Sequence, residues 1–261
     1  TVSKYLTVSC VMSLDQTFIK RATKVTSFNL TSNDFTTLKY KKEIQTLYSQ
    51  HMFPSFDPTT MPLKSITKEG YNKLVNLLKK DDASQYEKIH NLSLKGVGPG
   101  EAVMFLLTES GHLGGGSSAG VDLVVGPKSY EVKAAKWKSK TQKDAVSDFK
   151  LGGGLVGMTQ IESDIQDLAF RLGLRPKGSA EISGSIFQKM KEMSPSEYND
   201  IESRYQKLAA KYFANHDTIF LQTERNQPDF GEILAIKRVK ESDILMERFT
   251  SKSIKPIVKI K

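Results

Sequence analysis

Apolar residues recur three and four positions apart in several stretches of the chain, a spacing that predicts amphipathic helices. The helices are predicted to begin at residues 67 and 99 and to cover residues 158–172 and 194–213. Pro99 suits the first turn of the second helix. In the last one, Ser194 is followed three residues later by Glu197, which predicts a capping box that satisfies the first amides reciprocally.

Runs of apolar residues bounded by turn residues predict strands elsewhere. Residues 121–125 and 130–134 flank the sequence Gly-Pro-Lys-Ser, which predicts the turn of a β-hairpin. The other predicted strands cover residues 1–12, 24–30, 218–222, 232–238 and 254–260. Helices and strands interleave along the chain, so we predict a mixed α/β fold.

The chain has 261 residues, of which 38% are hydrophobic, enough to bury a core. Three prolines within nine residues, Pro54, Pro58 and Pro62, mark a connection between segments. We predict a boundary near residue 90, with residues 1–90 forming an N-terminal extension or a small α+β subdomain. Residues 91–261 then form the main domain.

Charge and cysteine content narrow the function. Lys and Arg number 38 against 29 Asp and Glu, a net charge of +9 that favours a polyanionic partner. One cysteine and four histidines cannot build a Cys/His zinc cluster from one chain. No apolar run is long enough to cross a bilayer, and polar residues interrupt residues 6–14, which argues against a signal peptide. We therefore expect no membrane partner and a cytoplasmic protein, or a virion-associated one if a phage encodes it.

The second predicted hairpin strand carries charge on one face. Glu131 and Lys133 are two residues apart and point the same way, while Val132 points to the other face. On the preceding strand, Asp122 lies on the face opposite its apolar neighbours. A hairpin through Gly126 can set Asp122 beside Glu131, so two acids and a lysine are predicted to converge.

Paired carboxylates repel each other and persist most readily when a divalent cation bridges them. Mg²⁺ is the expected ion, with Mn²⁺ able to substitute, because it takes oxygen ligands and completes its shell with water and substrate phosphate. A lysine on the same face can orient and help deprotonate a metal-bound water. The implied reaction is metal-assisted phosphodiester hydrolysis.

An acid on a helix (Glu101), an Asp on a strand (Asp122), eight intervening residues and then Glu-x-Lys (Glu131 to Lys133) resemble the PD-(D/E)XK nuclease superfamily over residues 99–172. The resemblance implies a restriction-endonuclease-like core of order αβββαβ, with a mixed central sheet flanked by helices. It also implies that Asp122 and Glu131 ligate the metal, that Val132 contributes its carbonyl and that Lys133 assists the water. Glu101 would support a metal directly or through water. Val121 stands before Asp122 where the family often has proline.

A basic run follows the motif and contains Lys136, Lys138, Lys140 and Lys143. We predict that these lysines contact DNA phosphates. Trp137, inside the run, either stacks on a base or packs into the core.

These features favour a Mg²⁺-dependent DNA endonuclease, with a second copy of the chain or phage-particle proteins as further partners. The alternative is a nuclease-fold module of a phage or other nucleoprotein assembly that binds DNA or protein with little or no cleavage, and RNA is not excluded as the substrate. Two non-catalytic alternatives also stay open. Glu131 and Lys133 could form a surface ion pair, and Glu101 could serve the helix dipole alone.

Overall fold

The computed structural model describes residues 45, 53–90, 98–114, 121–149, 151, 155–175, 182–250 and 253–261. The fold is mixed α/β, as predicted, and consists of an antiparallel sheet flanked by helices. The strands predicted over residues 1–12 and 24–30 lie outside the described residues. Among the helices that the structure describes, none combines the length and the apolar character needed to cross a membrane.

The helices are α1 (Lys68–His90), α2 (Pro99–Leu107), α3 (Met158–Arg171), α4 (Gly184–Met193) and α5 (Pro195–Phe213). The strands are β1 (His112–Leu113), β2 (Leu123–Val125), β3 (Lys128–Trp137), β4 (Ala145–Ser147), β5 (Asp217–Gln222), β6 (Ile233–Lys237), β7 (Ile244–Leu245), β8 (Phe249–Thr250), β9 (Ser253–Ile254) and β10 (Ile257–Lys259). The four predicted helices and the hairpin β2–β3 are confirmed. The pattern did not predict α4, β4 or β7.

Two local predictions, the continuous last strand and the capping box, were wrong. The strand predicted over residues 254–260 is split into β9 and β10, because Pro256 between them has no amide hydrogen for a ladder. The capping box at α5 is not formed. The Ser194 amide already donates to Met190 O at the end of α4, and the Ser194 hydroxyl donates to the Glu197 carboxylate at 3.0 Å.

The chain divides into two compact units, Thr1–Tyr130 and Glu131–Lys261, and the division falls inside β3. The boundary predicted near residue 90 borders residues 91–97, which the structure does not describe, so that boundary stays a prediction.

In the first unit, α1 and α2 pack together around a core of aromatic and aliphatic side chains. The backbone of Leu63 bonds on both sides, donating to Leu107 O at 2.8 Å and accepting from Glu109 N at 2.9 Å. The buried Gln45 amide donates to Leu106 O at 3.0 Å. These bonds satisfy carbonyls at the end of α2, where a helix lacks internal donors. They join Gln45 and the segment around Leu63 to the C-terminal end of α2.

In the second unit, α3, α4 and α5 bury one continuous core that also includes residues of β3 to β7 and β10. The apolar face of α3 is buried, with Ile165, Leu168 and Ala169 fully enclosed. The ladders β3–β4, β4–β10 and β5–β6 are all antiparallel, and β5 also pairs with β3. The helices therefore cover the strand face that carries Ala135, which is also the face of Glu131 and Lys133 by alternation.

Candidate functional site

The hairpin that carries the motif is well defined at its turn. Leu123 pairs with Tyr130 and Val125 with Lys128, so a tight turn joins the strands. Gly126 in that turn has a φ of +59°, a conformation that costs glycine little and other residues more. The turn residue is thus the one that the predicted hairpin requires.

Asp122 lies immediately before β2 and belongs to the first unit. Its backbone is fixed on both sides, because its amide donates to Tyr130 O at 3.0 Å and its carbonyl accepts from Gly114 N at 3.0 Å. A Cβ at Gly114 would lie 1.7 Å from Val121 O, so only glycine allows this close approach. The side chain of Asp122 is half-buried. Its predicted meeting with Glu131 stays a prediction.

Glu131 is the most buried of the predicted acids, with 8% of its surface exposed. Its Oε1 atom forms an ion pair with Lys133 Nζ and accepts a hydrogen bond of 2.7 Å from the Tyr212 hydroxyl on α5. Both contacts fall on the same carboxylate oxygen. A buried carboxylate needs such partners because desolvation of an unpaired charge is costly.

Lys133 lies in the same cluster and is held from two sides. Its Nζ atom pairs with Glu131 and sits 5.0 Å from the centre of the Tyr212 ring, within cation–π range. Burial alone would lower the pKa of Lys133, but the bonds and charges of Glu131 and Tyr212 outweigh burial and raise this pKa. Lys133 is therefore an ammonium ion at neutral pH. In this arrangement it donates hydrogen bonds.

Tyr212 was not predicted from the sequence. Burial raises the pKa of its hydroxyl, so Tyr212 is neutral and acts as a hydrogen-bond donor to Glu131. The residue lies 81 positions after Glu131, on a helix whose pattern reports only packing against the sheet. No motif spacing connects the two, so only the fold could reveal this third member. We call Glu131, Lys133 and Tyr212 the β3 cluster.

Val132 and Glu101, which were also predicted as site residues, are not members of the β3 cluster. The Val132 side chain is buried on the other face of β3. Glu101 is in the first turn of α2, and its Oε1 atom would lie 2.7 Å from a Cβ at Gly98, the N-cap residue. This carboxylate therefore folds back over the amide end of its own helix, where negative charge is stabilising. The position suits the dipole alternative for Glu101, while a supporting role for a metal stays a prediction.

The predicted DNA-binding lysines separate into different surroundings. Lys136 pairs with Asp148, and Lys138 pairs with Glu247 at 2.5 Å. Lys143 sits 5.7 Å from the centre of the Trp137 ring, and Lys140 is exposed to solvent.

Trp137 itself packs against the core of the second unit. Its indole donates a hydrogen bond of 2.6 Å to Asp229. Of the two alternatives left open by the sequence, core packing is the one found.

The oxygen donors at the β3 cluster suit a hard cation such as Mg²⁺, which usually takes one or two carboxylates and fills its shell with water and phosphate. The Glu131 carboxylate offers a second oxygen beyond Oε1, and peptide carbonyls are ligands of the same hard type. Within the described ranges, no three His, Cys, Asp or Glu side chains stand close enough to hold a metal ion together. A Mg²⁺ site does not need such a triad.

Comparison with known proteins adds no relative, since no family model matches the chain and no curated protein or solved structure is similar to it.

Proposed function

We propose that this chain is a Mg²⁺-dependent DNA endonuclease that hydrolyses phosphodiester bonds, with the β3 cluster as the centre of its active site. The observation that carries the proposal is the buried pairing of Glu131 with Lys133 on one strand, joined by Tyr212 from α5. Charged side chains are rarely buried unless they are paired, and groups with shifted pKa values concentrate at functional sites. Along the chain, β2, β3 and β4 follow α2 and precede α3, as in the PD-(D/E)XK order, although the two-residue strand β1 adds a fourth strand between the helices.

The residues of the cluster have distinct proposed roles. Glu131 would hold the ion with the carbonyl of Val132, and Asp122 is the second carboxylate that the resemblance implies. An ion held there would act as a Lewis acid and would offset negative charge on the scissile phosphate. Lys133, held as an ammonium, donates to phosphate oxygens and stabilises the charge that develops there. Tyr212 keeps Glu131 and Lys133 in position through one hydroxyl and one ring face.

The test is nicking of supercoiled plasmid DNA with Mg²⁺, with Mn²⁺ and with EDTA, for the parent chain and for Glu131→Gln and Lys133→Met. We expect metal-dependent nicking by the parent, and a loss of at least about a hundredfold in both variants, a typical cost of removing one charge-stabilising group. A structured RNA in a parallel reaction identifies the nucleic acid that is cut.

Lys237→Met is the matched control. Lys237 is also a partly buried lysine in an ion pair, with Asp243 at 2.8 Å, but it is no member of the β3 cluster. The control should lose stability and keep nicking. Equal nicking by the parent and all three variants would remove the enzyme proposal.

A nuclease-fold module that binds DNA without cutting it is the second candidate. The observation that favours it is the double contact on Glu131 Oε1, which already neutralises the acid without a metal. Retention of DNA by the folded parent, with no nicking under any metal condition, would support this candidate over the endonuclease.

A further inference from the structure

A second charged cluster lies in the same unit, built around Asp148 at the end of β4. Asp148 Oδ1 pairs with Arg248 Nη1 at 3.0 Å and with Lys255 Nζ at 3.7 Å, and Oδ2 pairs with Lys136. One carboxylate, 11% exposed, thus gathers three cations from separate parts of the chain. Its backbone has a φ of +64°, a left-handed conformation that Asp tolerates better than most residues.

This cluster borders a cavity of about 540 Å³, which we call the Asp148 cavity. Its charged lining consists of Lys138, Asp148, Glu247, Arg248 and Lys255. Its apolar lining includes Ile182, Ile186 and Ile257. A volume of this size accommodates a nucleotide-sized molecule, and the mixture of charged and apolar walls is typical of a ligand site.

Charge balance indicates what the cavity would take. The described lining has three cations and two carboxylates, an excess of one positive charge. Lys136 does not line the cavity, but it pairs with Asp148 and brings the excess in the cluster to two. A phosphomonoester carries close to two negative charges at neutral pH. Arg248 can form paired hydrogen bonds to phosphate oxygens, and Lys255 adds a point charge.

The position of α4 agrees with this chemistry. Gly184, its first residue, and Ser183, its N-cap, both line the cavity. The amide end of a helix favours negative charge. The isoleucines give an apolar wall against which a sugar or a base can pack.

We propose that the Asp148 cavity binds a phosphomonoester group, carried either by the end of a nucleic acid or by a free nucleotide. None of its residues belongs to the β3 cluster, so the proposal goes beyond the endonuclease and does not depend on it. Asp148 acts as a positioning residue, since it holds Arg248 and Lys255 near each other while two cationic charges remain to be balanced.

The experiment measures binding in EDTA, so that no cleavage takes place. The probe is a short labelled oligonucleotide with a terminal phosphate, compared with the same oligonucleotide ending in a hydroxyl. We expect the phosphorylated probe to bind at least about tenfold more tightly, as for hydrogen bonds to a charged group. Equal affinity for the two probes would overturn the proposal whatever the variants do.

Competition distinguishes the two sources. If a mononucleotide displaces the phosphorylated probe at concentrations that match the affinity of the probe, the free nucleotide is the ligand. If neither the mononucleotide nor inorganic phosphate displaces it, the nucleic-acid end is the ligand. Both results support a phosphomonoester site.

Lys255→Gln and Arg248→Gln should each weaken binding of the phosphorylated probe about tenfold. The control is Lys189→Gln, which removes an exposed lysine from α4, a helix that borders the cavity. Equal affinity in Lys255→Gln and Lys189→Gln would refute the assignment to this cavity. Because this assay measures binding in EDTA, a failed nuclease proposal leaves its result interpretable.

Discussion

The β3 cluster and the residues around Asp148 both combine carboxylates with cations, but in different proportions. At β3, one lysine and one tyrosine serve one carboxylate, and the charges balance in a buried setting. At Asp148, three cations share one carboxylate, and two of them, Arg248 and Lys255, line a cavity. The comparison teaches that the ratio of cations to acids distinguishes the charge-balanced β3 cluster from the Asp148 cavity, which we propose binds an anion.

The largest contrast should come from removing one lysine at each place. Lys133→Met leaves Glu131 buried without its counter-ion, and we expect a loss of about 3 kcal/mol in the free energy of unfolding. Lys255→Met leaves two cations on Asp148, so we expect a loss below about 1 kcal/mol. Urea unfolding followed by circular dichroism measures both. Equal losses would mean that the two clusters do not differ as described.

Asp148→Asn keeps a residue that tolerates the left-handed backbone but leaves Lys136, Arg248 and Lys255 without their acid. We expect a loss of about 2 kcal/mol in phosphate-free buffer. Added phosphate should restore part of it, because an anion can replace the missing carboxylate. Thermal melting against phosphate concentration checks this.

The control for that titration is Asp144→Asn, at an exposed position on the same stretch of chain. Its melting temperature should respond to phosphate as the parent does. If Asp148→Asn responds no more steeply than Asp144→Asn, the surplus of positive charge at the cavity is not available to anions.

Tyr212→Phe should cost about 1 kcal/mol, since it removes one hydrogen bond to Glu131 and keeps the ring under Lys133. Tyr198→Phe, on the same helix, removes a hydroxyl that donates to Met246 O and is the matched control. Both variants should lose a similar amount of stability, but only Tyr212→Phe should reduce nicking. A reduction shared by both would assign the effect to α5 as a whole.

The smallest expected effect concerns only the pKa of Lys133. Because the folded pKa of Lys133 lies above its ordinary value of 10.5, the stability from its pairing is present below that pH and is lost as the pH rises through the raised value. Carbon NMR of reductively methylated protein should therefore show Lys133 unchanged across neutral pH. A midpoint near neutrality would make Lys133 a proton acceptor and contradict its role as a donor.

Local pattern predicted much of this fold. The apolar spacing located α2, α3 and α5, and the Gly-Pro pair located the β2–β3 turn, since these features depend on neighbours in sequence. The pattern missed β4 and β7, which are two or three residues long and gain their order from pairing with β10. Such short strands carry no periodicity that sequence alone can show.

The site residues also divide into those that local spacing predicts and those that only the fold brings together. Strand alternation predicted that Glu131 and Lys133 share one face, and the structure shows them in contact there. The ion pair is also what the non-catalytic alternative predicted, so their catalytic role stays a prediction. Tyr212 and the partners of Asp148 come from distant parts of the chain, so no spacing rule reaches them. Lys136 and Lys138 were predicted as DNA contacts from charge alone, and their pairing with acids became visible only with the fold.

The most direct test of the active-site proposal is anomalous diffraction from crystals of the parent chain soaked in Mn²⁺. The account predicts a peak at coordination distance from the Glu131 carboxylate, and no such peak in Glu131→Gln crystals treated alike. Well-ordered density for Glu131, Lys133 and Tyr212 with no peak beside them at a saturating Mn²⁺ concentration would contradict it.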